Sequence, residues 1–377
     1  MSIKTLSKKM LAIVAAGAMT MGLAMPTSVF AAEGDTATKV TEAYISKTFN
    51  TEVGKTETFS FTAEQVGGNT ANVTIPDISF SATDTGTKTK RAQVSFPTNW
   101  PDAGKYEYTV TETKATPAIT DVAHQKMIMS QAEYTMDVYV SNVDNGYQIS
   151  NIIVNKKKGD NGKTVTGKVD ISDTDNNGFN FTNTYVQEAG TGTDPTSPDP
   201  TYDKDGSLNV TKAILTNGGT LDADKEFAFT ATFIFPTGTD ANTLGGVKGA
   251  DGNNITIKQD GTYTFKLKAN GNMKFTGVPV GTQISVAESA TPNYKGSAKS
   301  VFNGQAQTDV VAGKYNEAIT VTNTLGQKQN KVDVTNTYNN VPTTGIIMNT
   351  LPYVLMIALC GAALMAFVAF KRRRLQK

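Results

Sequence analysis

Six side chains in this 377-residue sequence have the types and spacing to do chemistry together. They form two sets, Lys47, Glu112 and Asn183, then Lys212, Glu288 and Asn336. Each stands in a short alternating run, where successive side chains point to opposite faces of a strand, so parity assigns each residue a side. Lys47 shares a face with Ile45 and Phe49, Glu112 with Tyr106, Tyr108 and Val110, and Asn183 with Phe179, Phe181 and Tyr185. In the second set Lys212 lies with Leu208, Val210 and Ile214, Glu288 with Ile284 and Val286, and Asn336 with Val332, Val334 and Tyr338. An isolated charge on an apolar face is too costly to persist unpaired. Burial lowers a lysine pKa and raises a glutamate pKa, which favours a neutral amine beside a protonated acid. Such an amine attacks the Asn side-chain carbonyl, the Glu polarises that carbonyl and shuttles the proton, and ammonia leaves. The product is an amide cross-link between the first and last strands of a domain, and fixed positioning supplies the rate advantage.

The same residues also fit plainer arrangements. One is a buried Lys–Glu salt bridge with the Asn as a strand-end hydrogen-bond partner. Another is placement at strand ends, where parity means little. The recurrence of the set in one order and one chain phase favours the chemistry. The second Asn has a competitor, Asn323, which shares a face with Ile319 and Val321. Asn336 is preferred because Tyr338 repeats the position of Tyr185.

The elements that must position these residues are strands. No long helical periodicity runs between 40 and 340. Short runs rich in Thr, Val, Ile, Phe and Tyr recur instead, such as Glu57–Ala63, Tyr106–Glu112, Tyr134–Val140, Phe227–Phe235 and Thr262–Leu267, with Gly, Asn and Asp between them. That pattern predicts an all-β chain of sandwiches or barrels. Residues 188–206 are Gly-, Thr-, Pro- and Asp-rich without an apolar face, and read as a linker between a domain at 38–187 and another at 207–340. The halves repeat loosely: Phe181-Thr182-Asn183-Thr184-Tyr185 matches Val334-Thr335-Asn336-Thr337-Tyr338, and each half opens on a strand with one Lys.

The two ends read as addresses. Lys4, Lys8 and Lys9 precede an apolar run from Met10 to Met25, and Val29-Phe30-Ala31 offers small residues for cleavage, so 1–31 is expected to be a secretory signal peptide. A short membrane anchor is the alternative. Near the other end an uncharged run, Leu351 to Phe370, is long enough to span a bilayer, and Lys371-Arg372-Arg373-Arg374 follows it. Residues 346–370 are expected to be transmembrane and 371–377 a basic cytoplasmic tail. Just before them stands Val341-Pro342-Thr343-Thr344-Gly345, which resembles the Leu-Pro-x-Thr-Gly sorting signal of Gram-positive surface proteins with Val for Leu. The resemblance implies cleavage by a sortase between Thr344 and Gly345 and transfer of Thr344 to an amine. An ordinary single-pass membrane protein is the alternative.

Together, the Lys-bearing first strand, the Val-x-Glu motif before a Thr-Pro turn and the closing Thr-Asn-Thr-Tyr resemble the isopeptide-linked domains of Gram-positive pilins. With the sorting signal, most of the chain resembles a sortase-assembled pilus shaft subunit. That resemblance implies immunoglobulin-like sandwiches with Lys47–Asn183 and Lys212–Asn336 (or Asn323) bonds, assisted by Glu112 and Glu288. It implies a cell-surface, wall-anchored location. The implied partners are a sortase, further copies of the chain, peptidoglycan, and tip and base pilins or a host ligand. One departure concerns polymerisation, since no Tyr-Pro-Lys motif occurs. The lysines late in the first domain, Lys156, Lys157, Lys158, Lys163 and Lys168, are the remaining candidates to accept the next subunit, or else a solvated charged loop. Lys163 and Lys168, flanking a Gly-containing turn, rank first.

Charge and composition exclude other classes. The chain carries 35 Lys plus Arg and 34 Asp plus Glu for a net +1, but the ends hold +3 and +5, which leaves 32–344 at −7. An acidic middle is a poor nucleic-acid binder. The single Cys, Cys360, lies in the C-terminal apolar run, so the middle has no disulfide, thiol nucleophile or Cys-based metal site. One His, His124, argues against a His-dependent triad or metal site, and it reads as a loop residue, with Trp100 as a packing residue. No cofactor is expected. A turnover enzyme is disfavoured, since nucleophile elbows and Gly-rich phosphate loops are missing and each Glu would act once in its own chain. The competing function is a wall-anchored adhesin monomer.

Overall fold

The computed structural model describes residues 40–113, 119–171, 178–339 and 356–361. The expected signal peptide, the sorting motif and the basic tail lie outside the described residues, as does all of the expected transmembrane segment except 356–361, which is helical. No helix among the described residues is long and apolar enough to cross a membrane.

The chain is all-β. Its first eleven strands are β1 (Tyr44–Thr51), β2 (Glu57–Phe59), β3 (Phe61–Val66), β4 (Ile78–Phe80), β5 (Gly86–Gln93), β6 (Gly104–Glu112), β7 (Gln125–Ile128), β8 (Glu133–Val143), β9 (Gly146–Lys158), β10 (Thr164–Val169) and β11 (Phe179–Gln187). After a short helix α1 (Pro200–Asp205) come β12 (Leu208–Leu215), β13 (Phe227–Ile234), β14 (Thr262–Leu267), β15 (Asn272–Phe275), β16 (Gln283–Glu288), β17 (Tyr294–Phe302), β18 (Gln305–Ala306), β19 (Val310–Val311), β20 (Ile319–Thr324) and β21 (Lys331–Tyr338).

Strands β1–β11 form a sheet β5-β1-β11-β7 and a facing sheet β10-β9-β8-β6-β3, with β2 and β4 paired separately. Strands β12–β21 repeat the plan as β15-β12-β21-β17-β18, with β19 also on β17, and β14-β13-β16-β20. In both halves the first and last strands lie side by side and parallel, β1 on β11 and β12 on β21. A direct hairpin cannot join parallel neighbours, so each half wraps its whole length between them.

Alternation explains the cores. In β6 the buried residues are Tyr106, Tyr108, Val110 and Glu112, every second position. In the first half Phe49, Phe59 and Phe80 pack edge-on, with ring centroids 5.2–5.9 Å apart. In the second half Phe233, Phe265 and Phe275 do the same work. Such aromatic contacts contribute beyond their buried area. Trp100 is buried 4.7 Å from Tyr106, centroid to centroid, as a packing residue.

The segment 188–206 is more ordered than its composition suggests. Glu188, Ala189 and Thr191 are buried. The backbone N–H groups of Ala189, Gly190 and Gly192 donate to the carbonyls of Val278, Gly326 and Gln327 at 2.7–3.0 Å. Glu188 accepts from Tyr202 Oη and Ser207 Oγ at 2.6 and 2.7 Å and meets His124 Nδ1 at 2.6 Å. Backbone hydrogen bonds and one buried carboxylate hold this stretch, and neither leaves a hydrophobic period in the sequence.

Candidate functional site

The parallel pairing of terminal strands sets the site. On β1 and β11, Lys47 lies opposite Phe181, and Asn183 is two residues further on the same face. On β12 and β21, Lys212 lies opposite Val334, and Asn336 is again two residues further. The glutamates end inner strands of the facing sheets: Glu112 closes β6 and Glu288 closes β16. Each set of three therefore spans its sandwich, with Lys and Asn from one sheet and Glu from the other.

All six side chains are buried, the lysines at 0% and 2% exposure. Lys47 Nζ donates to Glu112 Oε2 at 2.8 Å, and Asn183 Nδ2 donates to Glu112 Oε1 at 2.6 Å. Lys212 Nζ and Asn336 Nδ2 both donate to Glu288 Oε1, each at 2.8 Å. Aromatic rings cover the amines: Lys47 Nζ lies 4.2 Å from the Phe59 centroid and Lys212 Nζ 4.1 Å from that of Phe227. Burial lowers both lysines to about 8, partly opposed by the neighbouring carboxylates. Burial likewise raises Glu112 and Glu288, opposed by the lysine charges. These opposite shifts bring amine and acid toward exchanging a proton, which suits nucleophilic attack on an amide.

Of the two candidate asparagines in the second half, Asn336 meets Glu288. Asn323 sits on β20, in the sheet that carries Glu288, opposite Ile284, and donates to Gln307 Oε1 at 3.2 Å. Parity puts both on apolar faces, and only strand adjacency separates them.

The two amides differ in what holds their oxygen. Asn183 Oδ1 accepts from the Ser130 backbone N–H at 2.7 Å. A backbone N–H only donates, so this contact fixes the amide orientation and turns Nδ2 toward Glu112. The sequence-based expectation has Glu polarising the carbonyl, whereas in the first set Glu112 faces the amide nitrogen. Asn336 Oδ1 is buried with no hydrogen-bond partner among the described residues.

Sequence reasoning missed Ser130 and Asp160. Asp160 Oδ1 accepts from Ser130 Oγ at 2.5 Å and from the Thr182 N–H at 2.8 Å. Ser130 lies in the connection between β7 and β8 and Asp160 in the turn between β9 and β10, where no periodicity marks them. The glycines on either side of Asp160, Gly159 and Gly162, were the one available signal, and they mark only a turn.

Of the candidate acceptor lysines, Lys156, Lys157 and Lys158 lie on β9, Lys163 just before β10 and Lys168 on β10. Lys163 closes a tight turn in which its carbonyl accepts from the Gly159 N–H at 3.0 Å, and Lys168 lies on β10 opposite Asn155. The stretch between them is strand, and the turn precedes it. Lys158 pairs with Glu133 at 2.6 Å and Lys156 lies over the Tyr134 ring. Lys163 and Lys168 are exposed and make no ion pair among the described residues. His124 lies in a loop at positive φ against Glu188. Among the described residues no group of three or more His, Cys, Asp or Glu is arranged to hold a metal.

Residues 38–186, the first sandwich, match the family model described as a Spy0128-like isopeptide containing domain. Residues 206–338 match a family described only as a domain of unknown function, DUF7601. Among solved structures, the chain is similar to the major pilin protein (T3.2) of Streptococcus pyogenes, with 20% identity over 79% of this chain and 99% of that one, at a TM-score of 0.31. A second major pilin of Streptococcus pyogenes, T-13, shows 19% identity over 80% and 98%, at 0.30. A pilus-presented adhesin, Cpa, shows 12% identity over 79% and 99%, at 0.26. A search of curated proteins finds no match.

Proposed function

We propose that the chain is a structural pilus subunit of a bacterial surface whose two sandwiches, divided near 188–206, each close a Lys–Asn amide between first and last strands. The observation that carries this reading is the repeated Lys–Glu–Asn contact across parallel terminal strands. A shaft loaded along its length transmits force from one terminal strand to the other. A covalent bond between them carries that load without unfolding the domain, and an amide, unlike a disulfide, cannot be reduced. The family match over 38–186 supports the same chemistry for the first set.

In this reading Lys47 and Lys212 are nucleophiles, Asn183 and Asn336 electrophiles, and Glu112 and Glu288 one-time proton shuttles. Secretion through the 1–31 signal precedes folding. A sortase then cleaves between Thr344 and Gly345 and joins Thr344 to a lysine of another copy or to peptidoglycan. Lys163 and Lys168 are the favoured acceptors, supported by their exposure.

Two measurements test the proposal. Intact mass of recombinant 33–340 should fall two ammonia molecules short of the sequence value, and a mass equal to the sequence value would end the cross-linking reading. Tandem mass spectrometry of wall digests should find a Thr344-ended peptide branched onto a lysine peptide. Thr344 found only on peptidoglycan would replace the shaft role with a wall-anchored adhesin monomer.

A further inference from the structure

We infer, on the cross-linking reading above, that the Ser130 backbone N–H takes up the charge that develops on Asn183 Oδ1 as Lys47 attacks, and that Asp160 is the residue positioning this donor. The N–H lies 2.7 Å from Oδ1 and is buried with it. Three contacts tie Asp160 to the same spot. Its carboxylate accepts from Ser130 Oγ at 2.5 Å and from the Thr182 N–H, the residue before Asn183, at 2.8 Å. Its backbone carbonyl accepts from the Gln131 N–H at 3.0 Å. One residue thus clamps the donor-bearing segment to the strand that carries the electrophile.

The step balances within these groups. The neutral Lys47 amine forms a bond to Asn183 Cγ, and the carbonyl electron pair moves onto Oδ1, against the Ser130 N–H. The proton lost by Nζ passes to one Glu112 oxygen, and Glu112 delivers a proton to Nδ2, which its Oε1 already faces at 2.6 Å. The pair on Oδ1 returns to carbon, the Cγ–Nδ2 bond breaks and ammonia leaves. A donor aimed at the developing oxyanion is the kind of group whose loss slows acyl transfer a hundredfold or so.

The second sandwich serves as an internal control, because Asn336 Oδ1 has no donor among the described residues. The full chain is translated in a cell-free system and quenched at intervals by denaturing acid. Tryptic peptides then report the Lys47–Asn183 and Lys212–Asn336 cross-links separately. Asp160→Ala should slow the first cross-link roughly tenfold to a hundredfold and leave the second unchanged. Asp160→Asn keeps an acceptor oxygen and should restore most of the rate. In a Lys47→Met chain, which cannot close, the Ser130 amide proton should resonate downfield and move upfield on adding Asp160→Ala, a shift a merely structural role would not produce.

Should Asp160→Ala fail to fold, Ser130→Ala decides: it keeps the N–H but cuts one contact to Asp160, and should slow the first cross-link by a few-fold. Wild-type rates in the folded Asp160 variant, or in Ser130→Ala where that is the deciding variant, would overturn the inference while leaving the cross-linking reading intact. So would an Asp160→Asn chain as slow as Asp160→Ala. Absence of both cross-links from the wild-type chain would overturn the two together.

Discussion

Strand β7 stops at Ile128, just short of Asn183, whereas β17 runs unbroken past Asn336. In the first sandwich the chain leaves the ladder there, and the Ser130 N–H turns to the amide oxygen. In the second, Gly296 sits directly opposite Asn336 and the backbone beside it stays in the ladder. The result is one amide held from both ends and one held only by its nitrogen. A buried carbonyl without a donor costs about 1–3 kcal/mol. Turning the Asn336 amide over would relieve that cost by placing its oxygen against a protonated Glu288, which then polarises the carbonyl directly. Identical residue types thus leave room for two ways of activating one bond.

The largest expected effect is shared by both sandwiches and would erase the comparison if it failed. Glu112→Ala and Glu288→Ala each remove the proton shuttle, which accounts for about a hundred- to ten-thousandfold in rate. Each variant should restore one ammonia in the intact mass, and peptide mapping should assign it to its own sandwich. A variant that lost both cross-links would show that the sandwiches do not close independently.

Next in size is stability. Each bond closes a loop of roughly 120–140 residues, for which the chain-entropy account of a cross-link gives about 4–5 kcal/mol. Asn183→Ala and Asn336→Ala should lower the melting temperature of their own sandwich and open it to trypsin by similar amounts. Unchanged melting and protease resistance would reduce the asparagine to a strand-end hydrogen-bonder.

The pH dependence of closure sharpens the contrast. Reaction needs one proton on each Lys–Glu pair, on the acid rather than the amine. Below the raised glutamate pKa both groups are protonated and the amine cannot attack. Above about 8 the lysine has lost its proton while the glutamate is ionised, so nothing protonates the leaving nitrogen. Each cross-link should therefore form fastest in a bell-shaped window below about 8, whose limbs belong to the pair. Asp160 raises both Lys47 and Glu112, and among the described residues the second set has no such neighbour. Asp160→Asn should shift the first bell toward acid and leave the second in place, measured by quenched peptide mapping across pH.

Much of this was legible in the sequence because strand parity is strict. Lys47, Glu112, Asn183, Lys212, Glu288 and Asn336 each break an apolar alternation, and all are buried. What parity cannot give is adjacency. Asn323 and Asn336 both lie on apolar faces, and only the pairing of β21 with β12 brings Asn336 to Lys212. Nor does parity reach backbone donors: the Ser130 N–H acts through a break in a strand, which no residue type encodes. The ordered segment 188–192 was missed for the same reason, since its main-chain bonds leave no pattern of side chains.

The smallest expected effect lies at Gly296, the residue on β17 opposite Asn336. A methyl group there would sit 3.2 Å from Asn336 Oδ1, 3.3 Å from Glu288 Oε2 and 3.3 Å from Ile319 Cδ1. These approaches are tight without being impossible, so the amide or the carboxyl must give by a few tenths of an ångström. The first sandwich has a bulky side chain near the corresponding place, with Met129 Sδ at 3.3 Å from Asn183 Nδ2, and there the Ser130 donor pins the amide. The second sandwich has no such pin among the described residues, and a glycine rather than a side chain stands opposite its amide. Gly296→Ala should therefore slow the Lys212–Asn336 cross-link by a few-fold, in line with small displacements at a near-attack geometry, and leave Lys47–Asn183 untouched. The time course of the two cross-linked peptides from one sample measures both. If closure of the second sandwich were unaffected, amide rotation would play no part there, and Asn336 would react in the orientation the structure shows.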